Sequence, residues 1–142
     1  MTSKYLLVAK GALTVVILIY GIVPAIADLN ETHLLNPHWS AHARLHGAWF
    51  LFFSASMAAL SLYFVWVRDS LILPTVIGLA FVSGFWLAVL TAPLYGGALV
   101  DAKGVETQIL GLDANAFIFT ILTITLLMVF LYAIRRKSPG GA

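Results

Sequence analysis

Residues 71–93 read LILPTVIGLAFVSGFWLAVLTAP and contain no charged side chain. A helix of about 20 apolar residues is long enough to cross the hydrocarbon core of a bilayer. Pro74 falls in the first turn of such a helix, where a missing amide hydrogen is tolerated. This stretch therefore predicts a membrane-spanning helix.

The composition of the whole chain agrees with that prediction. Of its 142 residues, 61% are hydrophobic and only 10% are charged, whereas soluble domains carry about 25% charge. These figures exclude a soluble globular fold and a disordered chain. The chain has no cysteine, which excludes a disulfide framework, a thiolate metal site and a cysteine nucleophile.

Charged residues and histidines separate three further apolar stretches from this one. The predicted spans are residues 5–27, 47–67, 71–93 and 114–134, and the second helix extends outward to about residue 37. We therefore predict an all-α membrane protein, with a single four-helix transmembrane bundle over residues 1–142. Span one also has features of a signal peptide, but its apolar stretch exceeds the usual length of about 7–15 residues. We expect it to remain as a membrane helix.

The lysines and arginines near the span ends predict an orientation. Six lie at the two termini and in the connection between spans two and three, whereas the other loops contain only Arg44 and Lys103. Lysine and arginine accumulate on the cytoplasmic side of membrane proteins. Both termini are therefore expected in the cytoplasm, and loops 28–46 and 94–113 on the periplasmic, extracellular or lumenal side.

Small residues predict where the helices touch, because close packing of membrane helices needs small side chains. In span two, the candidates for such a contact face are Ser54, Ala55, Ser56, Ala58 and Ala59. In span three, Ala80, Gly84 and Ala88 recur at four-residue spacing and predict a second contact face.

All four histidines lie between residues 33 and 46. The pair Asn36-Pro37 is typical of a helix start, with Asn as the N-cap and Pro at the first helical position. The last three histidines are four residues apart and would share one face of a helix that begins there. They are His38, His42 and His46.

Aromatic side chains continue this face into the membrane. Trp49 and Phe53 follow the histidines at helical spacing, and we expect them to line a pocket for a lipophilic substrate. Trp39 is expected in the aromatic belt at the membrane interface, although it is also a candidate for substrate binding.

Two further polar residues are candidates for substrate binding. Arg44 could hold an anionic head group or pair with an upstream acid, or it could be a solvated interfacial charge. Asn115 lies near the start of span four, where a polar side chain needs a partner or a task, and it could equally join two helices. The neighbouring Asp113 is predicted to be the N-cap of that helix.

The clustered imidazoles predict a metal site. Histidines at positions i and i+4 of a helix can share one ion, so His42 and His46, together with His33, are the candidate ligands. This ligand set suits Zn, Fe, Mn or Cu. Asp101 and Glu106 in the second outer loop could supply further ligands. The His-Glu-x-x-His pattern of metalloproteases is absent.

The same cluster can also work without a metal, because a histidine and a carboxylate can act as acid and base on one substrate. The candidate catalytic residues are His33, His42, His46, Asp28 and Glu31. The alternative is that the histidines are interfacial groups that only bind water and loop carbonyls.

Residues 27–46, ADLNETHLLNPHWSAHARLH, resemble a family of small four-helix integral membrane proteins of unknown function. That family is marked by D-x-N-x-T-H followed by N-P-x-W-x-x-H-A-R-x-H. Members often carry two prolines where this chain has Ser40 and Ala41. The resemblance implies no activity but favours eight positions as functional. They are Asp28, Asn30, His33, Asn36, Trp39, His42, Arg44 and His46.

Three functional hypotheses follow. The first is an enzyme or binding protein for a small lipophilic substrate at the outer side of the membrane, with or without a metal ion. The second is a transporter or metal-handling protein, although no charged residue lies in the middle of a span to relay a cation. The third is a structural subunit of a homo-oligomer or a larger membrane complex.

Phosphate-binding loops, dinucleotide fingerprints and basic nucleic-acid patches are absent, so no nucleic-acid partner is expected.

Overall fold

The computed structural model of the protein describes residues 3–99 and 107–137. Its four long helices are α1 (Ser3–Asp28), α2 (Ala41–Trp66), α3 (Ile72–Thr91) and α4 (Ala114–Lys137). A 3₁₀ turn, Ala92–Leu94, follows α3, and the antiparallel strands β1 (Gln108–Ile109) and β2 (Leu112–Asp113) precede α4. The expected four-helix bundle is therefore present, and this short hairpin is the only β-structure in the described part of the chain.

The bundle has an apolar exterior. All four helices are long and apolar enough to cross a membrane. Phe52, Leu90 and Met128 on the outer surface are 73%, 75% and 67% exposed. Monomeric soluble proteins rarely expose apolar surface on this scale. The helices are thus compatible with a multi-pass integral membrane protein.

Helices α1 and α3 lie across the short diagonal of the bundle. Each packs against the other three helices, whereas α2 and α4 do not meet within residues 3–99 and 107–137. The core includes the fully buried Leu13, Ile17 and Leu126. The buried Tyr20 hydroxyl donates to Ser61 Oγ at 2.9 Å, which satisfies both polar groups inside the bundle.

Helices α1 and α2 approach each other closely at Gly21. A Cβ atom at this position would overlap the Cβ of Ala58, so only glycine fits. Ser54 and Ala58 are buried at this contact, as predicted for span two, whereas Ala55, Ser56 and Ala59 are exposed.

Helix α2 begins at Ala41, four residues later than the Asn-Pro pattern predicts. Ser40 is its N-cap, and Ser40 Oγ accepts the backbone amide of Ala43 at 3.1 Å. Asn36 closes a local turn instead, because its Oδ1 accepts the backbone amide of His38 at 2.9 Å. The predicted start at residue 37 is therefore wrong, and His38 is not on the helical face of the other two histidines.

Helix α4 begins where the sequence predicts. Asp113 Oδ1 accepts the backbone amides of Asn115 at 2.9 Å and of Ala116 at 3.1 Å. Asp113 is thus the N-cap of this helix, as expected.

Candidate functional site

The amide of Asn30 organises the loop that follows α1. Its Nδ2 donates to the carbonyl oxygen of Ala27 at 2.6 Å, which fixes the orientation of the amide. Asn30 Oδ1 then accepts the backbone amides of Thr32 and His33 at 2.8 and 3.2 Å. It also lies 2.7 Å from Thr32 Oγ1. Because a carbonyl oxygen cannot donate, the Thr32 hydroxyl must direct its proton to Asn30.

This arrangement assigns the tautomer of His33. Thr32 Oγ1 lies 2.7 Å from His33 Nδ1, and its only proton is already directed to Asn30. His33 Nδ1 must therefore carry a hydrogen and donate it to Thr32. In the neutral ring the lone pair is consequently on Nε2, which is the nitrogen that can take up a proton.

Asp28 is the acid nearest to that nitrogen. Its Oδ1 lies 3.9 Å from His33 Nε2, and both side chains are partly exposed. An imidazolium formed by protonation of Nε2 would therefore have a carboxylate as its counter-ion. The D-x-N-x-T-H spacing thus builds an acid–base pair, Asp28 and His33, on a scaffold of Asn30 and Thr32.

The candidate catalytic residues identified from the sequence did not include Asn30 and Thr32, which hold His33 in place. The resemblance favoured Asn30, but Thr32 was not a candidate. The spacing of the two residues was the available signal, because an Asn side chain commonly bonds the backbone two residues further on.

A cavity of about 230 Å³ adjoins the acid–base pair, and we call it the polar pocket. It is lined by Asp28, His33, Leu34, Trp39, Gly47, Phe50 and Leu51. Gly47 lets the loop pack closely on α2, since a Cβ there would lie 3.1 Å from Leu34 Cδ1 and 3.6 Å from the Trp39 ring. Trp39 thus lines the pocket, and its place in an interfacial belt stays a prediction.

A larger cavity of about 540 Å³ lies between α2 and α3, and we call it the apolar cleft. It is lined by Phe50, Phe53, Met57, Ile77, Ala80, Phe81, Gly84, Phe85 and Ala88. A Cβ atom at Gly84 would meet nothing within 4 Å. The small residues of α3 therefore leave space between the helices, whereas the sequence predicted that they would form a contact.

Phe50 belongs to the lining of both cavities, so the polar pocket and the apolar cleft share this residue. Its ring stacks on Phe81 with centroids 5.9 Å apart. Behind them, Phe119 of α4 stacks on Phe81 and on Phe85, with centroids 6.3 and 3.6 Å apart. A wall of aromatic rings thus supports the cleft.

His42 and His46 form a separate pair on the exposed surface of α2. Their Nε2 atoms are 3.1 Å apart, and the His46 ring lies 6.0 Å from that of Trp49. Trp49 is 65% exposed and lines neither cavity, so the pocket position expected for it is not observed. His33 is paired with Asp28 instead of with these histidines.

The expected three-histidine metal site is therefore not assembled. Among residues 3–99 and 107–137, no three His, Asp or Glu side chains lie where they could hold one metal ion. The helical pair His42 and His46 offers two nitrogen donors close together.

The remaining candidates lie outside both cavities. Glu31 and Arg44 are exposed, and neither forms an ion pair with another described residue. Asn115 is exposed in the first turn of α4. Asp101 and Glu106, the additional metal ligands considered from sequence, lie outside the described residues.

The fold and the site together define a small bundle of four helices, each long and apolar enough to cross a membrane, with a polar pocket at one end. Comparison with curated proteins and with solved structures gives no match. The chain belongs to the DUF6640 family of unknown function, whose model matches residues 12–140. The matched region contains both cavities and all the candidate residues.

Proposed function

We propose that this protein binds a small lipophilic molecule with a polar head group inside the membrane. The apolar chain of the ligand occupies the cleft between α2 and α3, and the head group occupies the polar pocket. The observation that carries this proposal is that Phe50 lines both cavities. One elongated ligand can therefore contact the Asp28–His33 pair and the apolar cleft together.

The size and chemistry of the two cavities support such a ligand. The cleft, at about 540 Å³, falls within the range of about 300–1,000 Å³ that is usual for small-molecule sites. Lipid tails are as apolar as the cleft, so the cleft alone selects poorly between the ligand and bilayer lipid. The polar pocket supplies the selectivity, because its carboxylate and imidazole need hydrogen-bonding partners.

The acid–base pair suits a head group that carries a hydroxyl. His33 Nε2 can accept a hydrogen bond from that hydroxyl, and the Asp28 carboxylate, 3.9 Å from the same nitrogen, can accept a second hydrogen bond from the head group. We infer that these two residues are the catalytic ones if the bound molecule is a substrate. The excess of lysine and arginine at the other end favours an outward-facing pocket with both termini in the cytoplasm.

A photoreactive ligand tests the proposal. Purified protein in lipid nanodiscs is irradiated with a long-chain primary alcohol that carries a diazirine on its chain, and labelled residues are mapped by mass spectrometry. We expect saturable labelling of Met57 and Phe85, with competition by the unmodified alcohol. Gly84→Leu should abolish this labelling, because Gly84 lines the cleft, a Cβ there meets no atom within 4 Å, and the larger side chain takes up volume in the cleft.

Matched controls separate the cleft from general lipid contact. Gly11→Leu adds the same side chain to α1 at a position that also has no atom within 4 Å, and it should leave the labelling unchanged. A probe with the same chain but no hydroxyl should bind without sensitivity to His33→Gln. Labelling that does not saturate, and that is equally strong on the exposed Met128, would overturn the proposal.

A metal-handling role is the second candidate, and the spacing of the helical histidine pair favours it. Zn–N bonds are about 2.0–2.1 Å long, so two nitrogens 3.1 Å apart can both reach one ion. Calorimetric titration with Zn²⁺ and Cu²⁺ tests this role. Binding should disappear in His42→Ala and persist in His38→Ala, and equal binding by the two variants would refute it.

A further inference from the structure

A third cavity lies at the end of the bundle opposite the polar pocket. It has a volume of about 380 Å³ and is formed by the α2–α3 connection and the last turns of α4. Its charged lining consists of Arg68, Asp69 and Arg136. Leu71 and Ala133 contribute an apolar wall. We call this cavity the arginine pocket.

The arginine pocket carries an excess of positive charge. The one carboxylate, that of Asp69, already binds Lys10 Nζ at 2.6 Å and Arg136 Nη2 at 3.4 Å. Arg68 has no ion-pair partner among the described residues. Two guanidinium groups therefore line the pocket beside one carboxylate that is already paired, and the guanidinium of Arg68 is available to a ligand.

We propose that the arginine pocket binds the anionic head group of a phospholipid. Guanidinium groups bind phosphate oxygens through paired, charge-assisted hydrogen bonds. Basic pockets between membrane helices on the cytoplasmic side are known to bind anionic lipid head groups. The expected orientation puts the arginine pocket on that side.

The apolar wall identifies a lipid, in preference to free phosphate, as the occupant. Free phosphate would use only the charged half of the cavity, whereas the glycerol and upper acyl chain of a lipid would cover Leu71 and Ala133. This site is independent of the ligand proposed for the apolar cleft.

Lipid titration followed by native mass spectrometry tests the proposal. Purified protein in detergent is titrated with phosphatidylglycerol, phosphatidylcholine or inorganic phosphate. We expect preferential retention of phosphatidylglycerol and about tenfold weaker retention by Arg68→Gln, because a charged hydrogen-bonding partner is lost. Arg68→Lys keeps the charge but not the paired donors, so its retention of phosphatidylglycerol should fall less than that of Arg68→Gln.

Two control variants replace another arginine with glutamine, so each loses one positive charge, as Arg68→Gln does. Arg135→Gln alters an adjacent basic residue that does not line the pocket, and Arg44→Gln alters an exposed arginine at the other end. Both should retain phosphatidylglycerol like the unmodified protein. Equal retention of the two lipids, or an equal loss in Arg135→Gln, would overturn the proposal. Inorganic phosphate that displaces phosphatidylglycerol at equal concentration would identify a free-anion site and also overturn it.

Discussion

At the scale of single residues, one hydroxyl decides which nitrogen of His33 carries the hydrogen in the neutral ring. Thr32 stands between the Asn30 oxygen, which can only accept, and His33 Nδ1, which must therefore donate. Neither residue needs to touch a ligand to have this effect. They position His33, whereas His33 and Asp28 line the pocket.

Thr32→Val should shift the tautomer of His33, because valine keeps the shape of threonine but cannot accept the Nδ1 hydrogen. We predict that neutral His33 is mainly in the Nδ1–H form in the unmodified protein and loses this preference in the variant. Nitrogen-15 chemical shifts of labelled histidine report the tautomer, and His33→Gln assigns the signal.

A control variant also removes a side-chain hydroxyl, but at a position away from His33. In Ser56→Ala the lost hydroxyl donates to Phe52 O within the same helix, so the His33 signal should not move. An unchanged His33 tautomer in Thr32→Val would contradict the assigned network.

At the scale of helices, one glycine in α1 and one glycine in α3 have opposite effects on helix packing. Gly21 permits contact between α1 and α2, whereas Gly84 leaves the apolar cleft open between α2 and α3. The two positions look alike in sequence, since each is a small residue in an apolar helix. What separates them is whether another helix lies opposite.

Gly21→Ala should destabilise the bundle, because the added methyl group overlaps Ala58 and forces α1 away from α2. We predict a loss of about 1–3 kcal/mol, which is typical of overpacking. Denaturant unfolding in detergent, followed by circular dichroism, measures it.

Gly11→Ala is the matched control in the same helix. Its added methyl group meets no atom within 4 Å, so this variant should be as stable as the original or gain roughly 0.5–1 kcal/mol from helix propensity. Equal stabilities for the two variants would contradict the close α1–α2 contact.

At the scale of the whole molecule, Asp69 joins distant parts of the chain. It is paired with Lys10 of α1 and with Arg136 of α4, and it lies in the connection between α2 and α3. The hydrogen bond from Lys10 is the main reason why the pKa of Asp69 lies below its usual value. Desolvation opposes this shift, and the charges of Lys10 and Arg136 add to it.

The lowered pKa makes the stability of the bundle depend on pH. A carboxylate whose pKa is lower in the folded than in the unfolded state stabilises the fold above its unfolded-state value of about 3.9. That contribution is lost as the pH falls through the folded-state pKa. We predict that Asp69→Asn has a slightly lower Tm than the original at about pH 7, that the difference begins to shrink below about pH 4, and that it closes once the pH is below the folded-state pKa.

Asparagine is the appropriate replacement because Asp69 has a φ of +49°, which asparagine tolerates. The comparison therefore isolates the charge from the backbone conformation. High salt should also reduce the Tm difference, since the pairs are exposed to solvent. A Tm difference that persists at low pH would show that the ion pairs are not its cause.

The sequence by itself determined the four apolar helices, because the length and hydropathy of a segment are local properties that neighbours in the fold do not change. It also located the polar chemistry in residues 27–46. It did not predict the start of α2, because Asn36 and Ser40 are both good helix caps. In the structure Asn36 closes a local turn, and Ser40 is the N-cap.

Only the tertiary structure decided which of these groups act together. It paired His33 with Asp28 and left His42 and His46 on the outer surface of α2, because the loop that carries His33 turns back onto the end of α1, where the backbone amide of Leu34 donates to Asp28 O. It also opened the apolar cleft at Gly84, where the sequence predicted a contact. Small residues permit close packing but do not require it, and whether a helix or a space lies opposite depends on how all four helices pack together.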